Sequence, residues 1–115
     1  MNRIMHRLFM ILSSADPVVH RELSIPYAYN SKKQEWMDEV RVILWGPTEK
    51  MAVEDKEFQE QILLLKVAGV EVFACKACSD NFGISEELEK EGIDVRYVGT
   101  FVTEMLKEGW YQLTF

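Results

Sequence analysis

One punctuation recurs three times in the second half of the chain and restricts its fold more than any other feature. Lys66-Val67-Ala68-Gly69 leads into Val70-Glu71-Val72-Phe73, Lys90-Glu91-Gly92 into Ile93-Asp94-Val95-Arg96-Tyr97, and Lys107-Glu108-Gly109 into Trp110-Tyr111-Gln112-Leu113-Thr114-Phe115. Each time a basic residue sits near the last turn of a helix, opposing the negative end of its dipole, and a Gly supplies the left-handed cap. A β-prone run follows at once. Helix, Gly and strand in this order specify an α/β layer fold.

The first half is compatible. Residues 4–12 read as strand one, apolar enough for a buried parallel strand. Asp16-Pro17 offers an N-cap and a first helical residue for a helix running to Lys33, which Pro26 interrupts or kinks. Residues 40–45 form a strong second strand, stopped by Gly46-Pro47. Between residues 54 and 68, Phe58, Ile62 and Leu65 recur at helical spacing while Lys56, Glu60 and Gln61 stay polar, giving an amphipathic helix laid on a sheet. Ser85 caps a short helix to residue 91, and Thr100 another to residue 108. Five strands thus alternate with four helices. Right-handed crossovers place Ser13-Ser14, Gly46-Pro47-Thr48, residues 75–83 and Gly99-Thr100 at one sheet edge, where open α/β sheets bind ligands. No linker or low-complexity tract interrupts residues 1–115, which read as a single domain.

Composition narrows the function classes. A chain of 115 residues with 48% hydrophobic content can bury a real core without staples. Asp and Glu outnumber Lys and Arg 19 to 13, a net charge of −6, so neither nucleic acid nor an anionic membrane is the expected partner. Arg3, His6 and Arg7 before Leu8-Phe9-Met10-Ile11-Leu12 mimic a signal peptide, but the apolar run is short and no small-x-small site follows. A buried strand is the expected reading, and nothing approaches a membrane span. The expected setting is the cytoplasm.

The chemistry rests on Cys75-Lys76-Ala77-Cys78, which holds both cysteines of the chain at the exit of an apolar strand, before the polar turn Ser79-Asp80-Asn81 and Gly83. Such thiols are often small hydrophobic filler, but two of them three residues apart among polar neighbours favour reactivity. A thioredoxin-like dithiol also carries C-x-x-C after a strand, yet it places a cis-proline downstream, and Pro17, Pro26 and Pro47 all precede Cys75. Zinc commonly takes four ligands; with His6 in a strand and His20 on a helix, neither at ligand spacing, a metal would have to bridge subunits, so none is expected. A cysteine-protease arrangement lacks a placed histidine base. Trp36, Trp45 and Trp110 fit core packing better than ligand stacking, and the Glu86–Glu91 run reads as a solvated helix face. Persulfide chemistry needs only a partly exposed, sheltered thiolate and no general base, and these residues meet it without additions.

The residues 40–47, 69–75, 81–84 and 109–115 together resemble the DsrE/DsrF-like proteins in a pattern of strand-Gly, helix-Gly-strand-Cys and Gly-Ile. The resemblance implies a three-layer α/β/α fold with a mostly parallel five-stranded sheet, and assembly into trimers or hexamers. It also implies a sulfur-relay role in which a cysteine after the third strand passes a persulfide between donor and acceptor proteins. Cys75, followed by Gly83, matches that position, and Cys78 stands as a resolving or accessory thiol. No cofactor is implied. Two alternatives stay open: a non-catalytic oligomeric binding module of the same fold, and a C-x-x-C dithiol redox protein.

Overall fold

A computed structural model describes residues 4–115. Five strands carry the fold: β1 (Arg7–Leu12), β2 (Glu39–Leu44), β3 (Glu71–Cys75), β4 (Asp94–Arg96) and β5 (Tyr111–Thr114). They form one all-parallel sheet in the order β4-β3-β2-β1-β5. The helices are α1 (Pro17–Val19), α2 (Ile25–Lys33), α3 (Pro47–Glu54), α4 (Lys56–Val67), α5 (Lys76–Phe82), α6 (Ser85–Lys90) and α7 (Val98–Lys107), with a π-helical turn, His20–Ser24, between α1 and α2.

Side-chain alternation in the strands explains the layers. Leu8, Met10, Leu12, Val40, Val42, Leu44, Val72 and Ala74 point to one face and pack against Ile25, Ala28, Ala52, Phe58, Ile62, Leu65 and Leu88 from α2, α3, α4 and α6. Phe9, Ile43, Phe73 and Cys75 point to the other face, beneath Val98 and Met105 of α7 and against Trp110. Buried on both faces, such strands read as apolar runs rather than as polar-apolar alternation. The result is a three-layer α/β/α fold. Gly69, Gly92 and Gly109 all take positive φ (98°, 78° and 85°), so the three helix-Gly-strand junctions stand as read from the sequence.

Strand β1 starts at Arg7, leaving His6 exposed just ahead of it, and residues 1–3 of the apparent signal-like segment lie outside the described residues. Pro26 does not break its helix. The π-turn ahead of it sends the Ile25 N–H to the His20 carbonyl, and that wider ring absorbs a proline near the start of α2. Gly46-Pro47-Thr48 opens a helix of its own, α3, and the amphipathic segment begins only at Lys56, where Asp55 caps it by accepting from the Phe58 N–H (3.1 Å). Ser79-Asp80-Asn81 is no turn but the middle of α5. Ser85 does not cap α6; its hydroxyl donates to Asp80 Oδ1 (2.5 Å) instead. Helix α7 begins at Val98, so Thr100 lies inside its first turn. Trp110 is buried and Trp45 partly so, but Trp36 is 57% exposed and leans on Tyr27.

Candidate functional site

Strand β3 delivers its last residue, Cys75, into the buried layer under α7, opposite Arg96 of β4 in register. With φ −72° and ψ 115° Cys75 is still extended, and it serves directly as the N-cap of α5 with no residue between strand and helix. One helical turn on, Cys78 therefore comes back beside it. Cys75 is 5% exposed, Cys78 is half-buried, and both are free thiols. The far end of α5 is fixed by Gly83, whose φ of 72° is the left-handed cap that a β-carbon would strain. Lys76 and Asp80 pair at 3.1 Å along the exposed side, while the Ser79 and Ser85 hydroxyls meet at 2.6 Å.

A third group joins the thiols from the neighbouring strand. After β2, Gly46 turns with φ 85°, open only to a residue without a β-carbon, and Pro47 starts α3 with its fixed φ. Glu49, at the third helical position, folds back so that its Oε1 accepts from the Gly46 N–H at 3.0 Å. This is half of a capping box, since Gly46 has no side chain to complete it. Glu49 is fully buried, and its Oε2 has no hydrogen-bond partner among the described residues. A carboxylate oxygen of Glu49 and the Sγ atoms of Cys75 and Cys78 all lie within 4.8 Å of one another.

Burial governs the electrostatics of this cluster. Removal from water pushes the Glu49 carboxyl up to about 7, against the Gly46 and Cys75 N–H groups, which favour its ionised form. The Cys78 thiol is pushed up to about 11, first by burial, then by the Cys75 side chain as hydrogen-bond partner and as charge, and then by the Glu49 charge; the Gly46 N–H works the other way. Outside the cluster, hydrogen bonds from Ser85 and Lys76 hold Asp80 below the usual carboxylate range.

The two cysteines singled out from the sequence are thus brought together, and the histidines stay away from them. His20 is a satisfied core residue: its Nδ1 meets the Ser24 hydroxyl at 2.7 Å, its Nε2 meets the Ser14 carbonyl at 2.7 Å, and its ring packs on Phe58. His6 stacks on Tyr111 at the surface. Ser13 and Ser14 give their N–H groups to the Phe115 carbonyl, and the Thr48 hydroxyl donates to the Leu12 carbonyl, so those edge groups are spent within the fold. Sequence reasoning missed Glu49. Its signal was a Pro-x-Glu directly after Gly46, the spacing of a helix start whose N3 carboxylate turns back on the cap.

Residues 9–115 match the DsrE/DsrF-like family. The chain belongs to that family. Among solved structures it is similar to a conserved protein of unknown function, BT1422, from Bacteroides thetaiotaomicron, with 33% identity, a TM-score of 0.88 and 94% of each chain covered. The ychN protein from E. coli superposes with a TM-score of 0.75 at 18% identity, over 96% of this chain and 100% of that one. A protein of unknown function, MTH1491, from Methanobacterium thermoautotrophicum superposes at 0.76 and 20% identity, over 95% and 98%. The last two likenesses speak to the fold alone. No curated protein matches the chain. Among the described residues, no helix is long and apolar enough to cross a membrane.

Proposed function

We propose that this DsrE/DsrF-like chain is a cytoplasmic sulfur carrier in which Cys75 holds a persulfide. The observation that carries the reading is the convergence of both thiols of the chain at one strand exit, in a family associated with sulfur relay. The Cys75 thiolate attacks the outer sulfur of a donor persulfide. One S–S bond forms at Cys75, the donor S–S bond breaks, and the donor leaves as a thiolate, so no oxidant is required. An acceptor thiolate then repeats the exchange on the outer sulfur and frees Cys75. Cys78, nearer the surface and one turn away, is the accessory thiol that shelters this sulfur or resolves it. The working form is a homo-oligomer, a trimer or hexamer, that meets donor and acceptor proteins.

Reduced protein treated with glutathione persulfide and weighed intact tests the proposal. Wild type and Cys78→Ser gain one sulfur atom that a reductant removes, and Cys75→Ser gains none. Equal gain in Cys75→Ser removes Cys75 as the carrier. The burial of Cys75 favours one other reading, a non-catalytic binding module with inert thiols. Slow alkylation of both thiols at neutral pH, with no sulfur gained by any form, would select it.

A further inference from the structure

We propose that Glu49, Cys75 and Cys78 form a three-ligand site for a thiophilic divalent cation of the zinc class, with a fourth coordination position left open. The inference goes beyond sulfur carriage, although it uses the same pocket, and it needs no persulfide to be true.

The donors are the right kind and number. Zinc takes thiolate and carboxylate ligands, and three protein ligands plus an exchangeable fourth is its usual open arrangement. A tetrahedral zinc, with bonds of about 2.3 Å to sulfur and about 2.0–2.2 Å to oxygen, sets neighbouring donors about 3.5–3.8 Å apart. The three donor atoms here lie within 4.8 Å of one another, so small side-chain rotations close the site. Cys75 and Cys78 come from one strand-to-helix junction and Glu49 from the adjacent helix start, all anchored on neighbouring strands β2 and β3.

The independent observation is Glu49 itself. Its Oε1 is held by the Gly46 N–H, which fixes the carboxylate; the Cys75 N–H also favours the carboxylate, but it closes no hydrogen bond to the buried Oε2, which has no such partner among the described residues. A buried oxygen without a partner costs about 1–3 kcal/mol, and more when it carries charge. A cation held by the carboxylate and the two sulfurs would give the Glu49 carboxylate a further partner in its buried site. The Gly46 N–H plays the part that an outer-shell partner plays at a metal centre, orienting the carboxylate toward the ion. Sequence spacing alone hid this site, because Glu49 lies 26 residues ahead of Cys75 and only the parallel β2–β3 pairing brings them together. Of the open position, the structure gives a direction: Cys78 is the least buried of the three ligands.

A metal held there would occupy both thiols, and sulfur transfer and metal occupancy would exclude each other. Titration of the reduced, chelator-treated full chain with Co²⁺ reads the site directly. Wild type is expected to bind one equivalent with sulfur-to-cobalt charge-transfer absorption, and Zn²⁺ to bleach it in the same stoichiometry. Glu49→Gln, Cys75→Ser and Cys78→Ser should each weaken binding by more than the roughly 10–100-fold that loss of an outer-shell partner costs. Far-UV circular dichroism of each variant checks that it is folded, and Glu49→Asp, which keeps the carboxylate, should bind better than Glu49→Gln. The proposal is overturned by absence of a charge-transfer band in wild type. It is also overturned by affinity in Glu49→Gln equal to wild type, which would leave an ordinary dithiol chelate. Sulfur uptake measured in chelator is independent of these readings, so failure of either proposal leaves the other standing.

Discussion

At the C-terminal edge of the sheet the chain buries two polar clusters, one around His20 behind β1 and one around Glu49 beyond β2. In the first, both imidazole nitrogens have partners at 2.7 Å and the ring lies on Phe58. In the second, a fully buried carboxyl has one oxygen bonded to the Gly46 N–H and the other without a hydrogen bond among the described residues, with two thiols beside it. The difference separates two uses of a buried polar group. A satisfied cluster ties elements together; here it joins the loop after β1 to the π-turn. An unsatisfied cluster costs stability instead.

His20→Ala removes two buried hydrogen bonds and a ring from the core, and about 3 kcal/mol of stability is expected to go with them. Urea unfolding measures it, and a loss under about 1 kcal/mol would erase the contrast between the clusters. Glu49→Gln is expected to act in the opposite sense in chelator-treated protein. The Glu49 carboxyl rises from 4.5 to about 7 on folding, so the fold binds that proton more tightly than the unfolded chain does. Its contribution is complete below pH 4.5 and is lost as pH rises through 7, a change of up to about 3 kcal/mol. Glu49→Gln should therefore be more stable than wild type at pH 8, with the gap closing toward pH 4. A gap that does not change with pH would mean that Glu49 is not held as described.

A smaller effect sharpens the boundary of the thiol region. Gly83 ends α5 at φ 72° with open space where a β-carbon would sit, so Gly83→Ala meets backbone strain and no clash. About 1 kcal/mol of thermal stability should be lost while Co²⁺ affinity stays within about twofold, since the thiols sit at the other end of the helix. A Co²⁺ affinity that falls with it would show that the whole of α5, rather than its first turn, positions the sulfurs.

The parts legible in the sequence were those written in local signals. The three Gly caps gave the alternation, Asp16-Pro17 the first helix start, and the apolar runs the strands buried on both faces. Cys75 and Cys78 were legible because three residues of spacing bring two side chains together in any helical turn. Other features depended on tertiary context. Pro26 reads locally as a breaker, and only the π-turn ahead of it shows how the helix continues. Ser85 looks like a cap until Asp80, folded back by α5, claims its hydroxyl. Glu49 sat inside an expected loop, and its meeting with the thiols needs β2 and β3 to be neighbours, a pairing that periodicity does not specify. Counting only cysteines and histidines left a metal short of ligands within one chain, because the carboxylate of Glu49 lies far from them in sequence.

Under the proposed function, Cys75 rather than its neighbour receives sulfur. Trypsin cuts at Lys66 and Lys76, which places Cys75 and Cys78 in separate peptides. Chelator-treated wild type, exposed to glutathione persulfide, trapped with an alkylating agent and digested, should carry the added sulfur on the peptide ending at Lys76. Added sulfur confined to the peptide beginning at Ala77, or found on neither, would contradict the account.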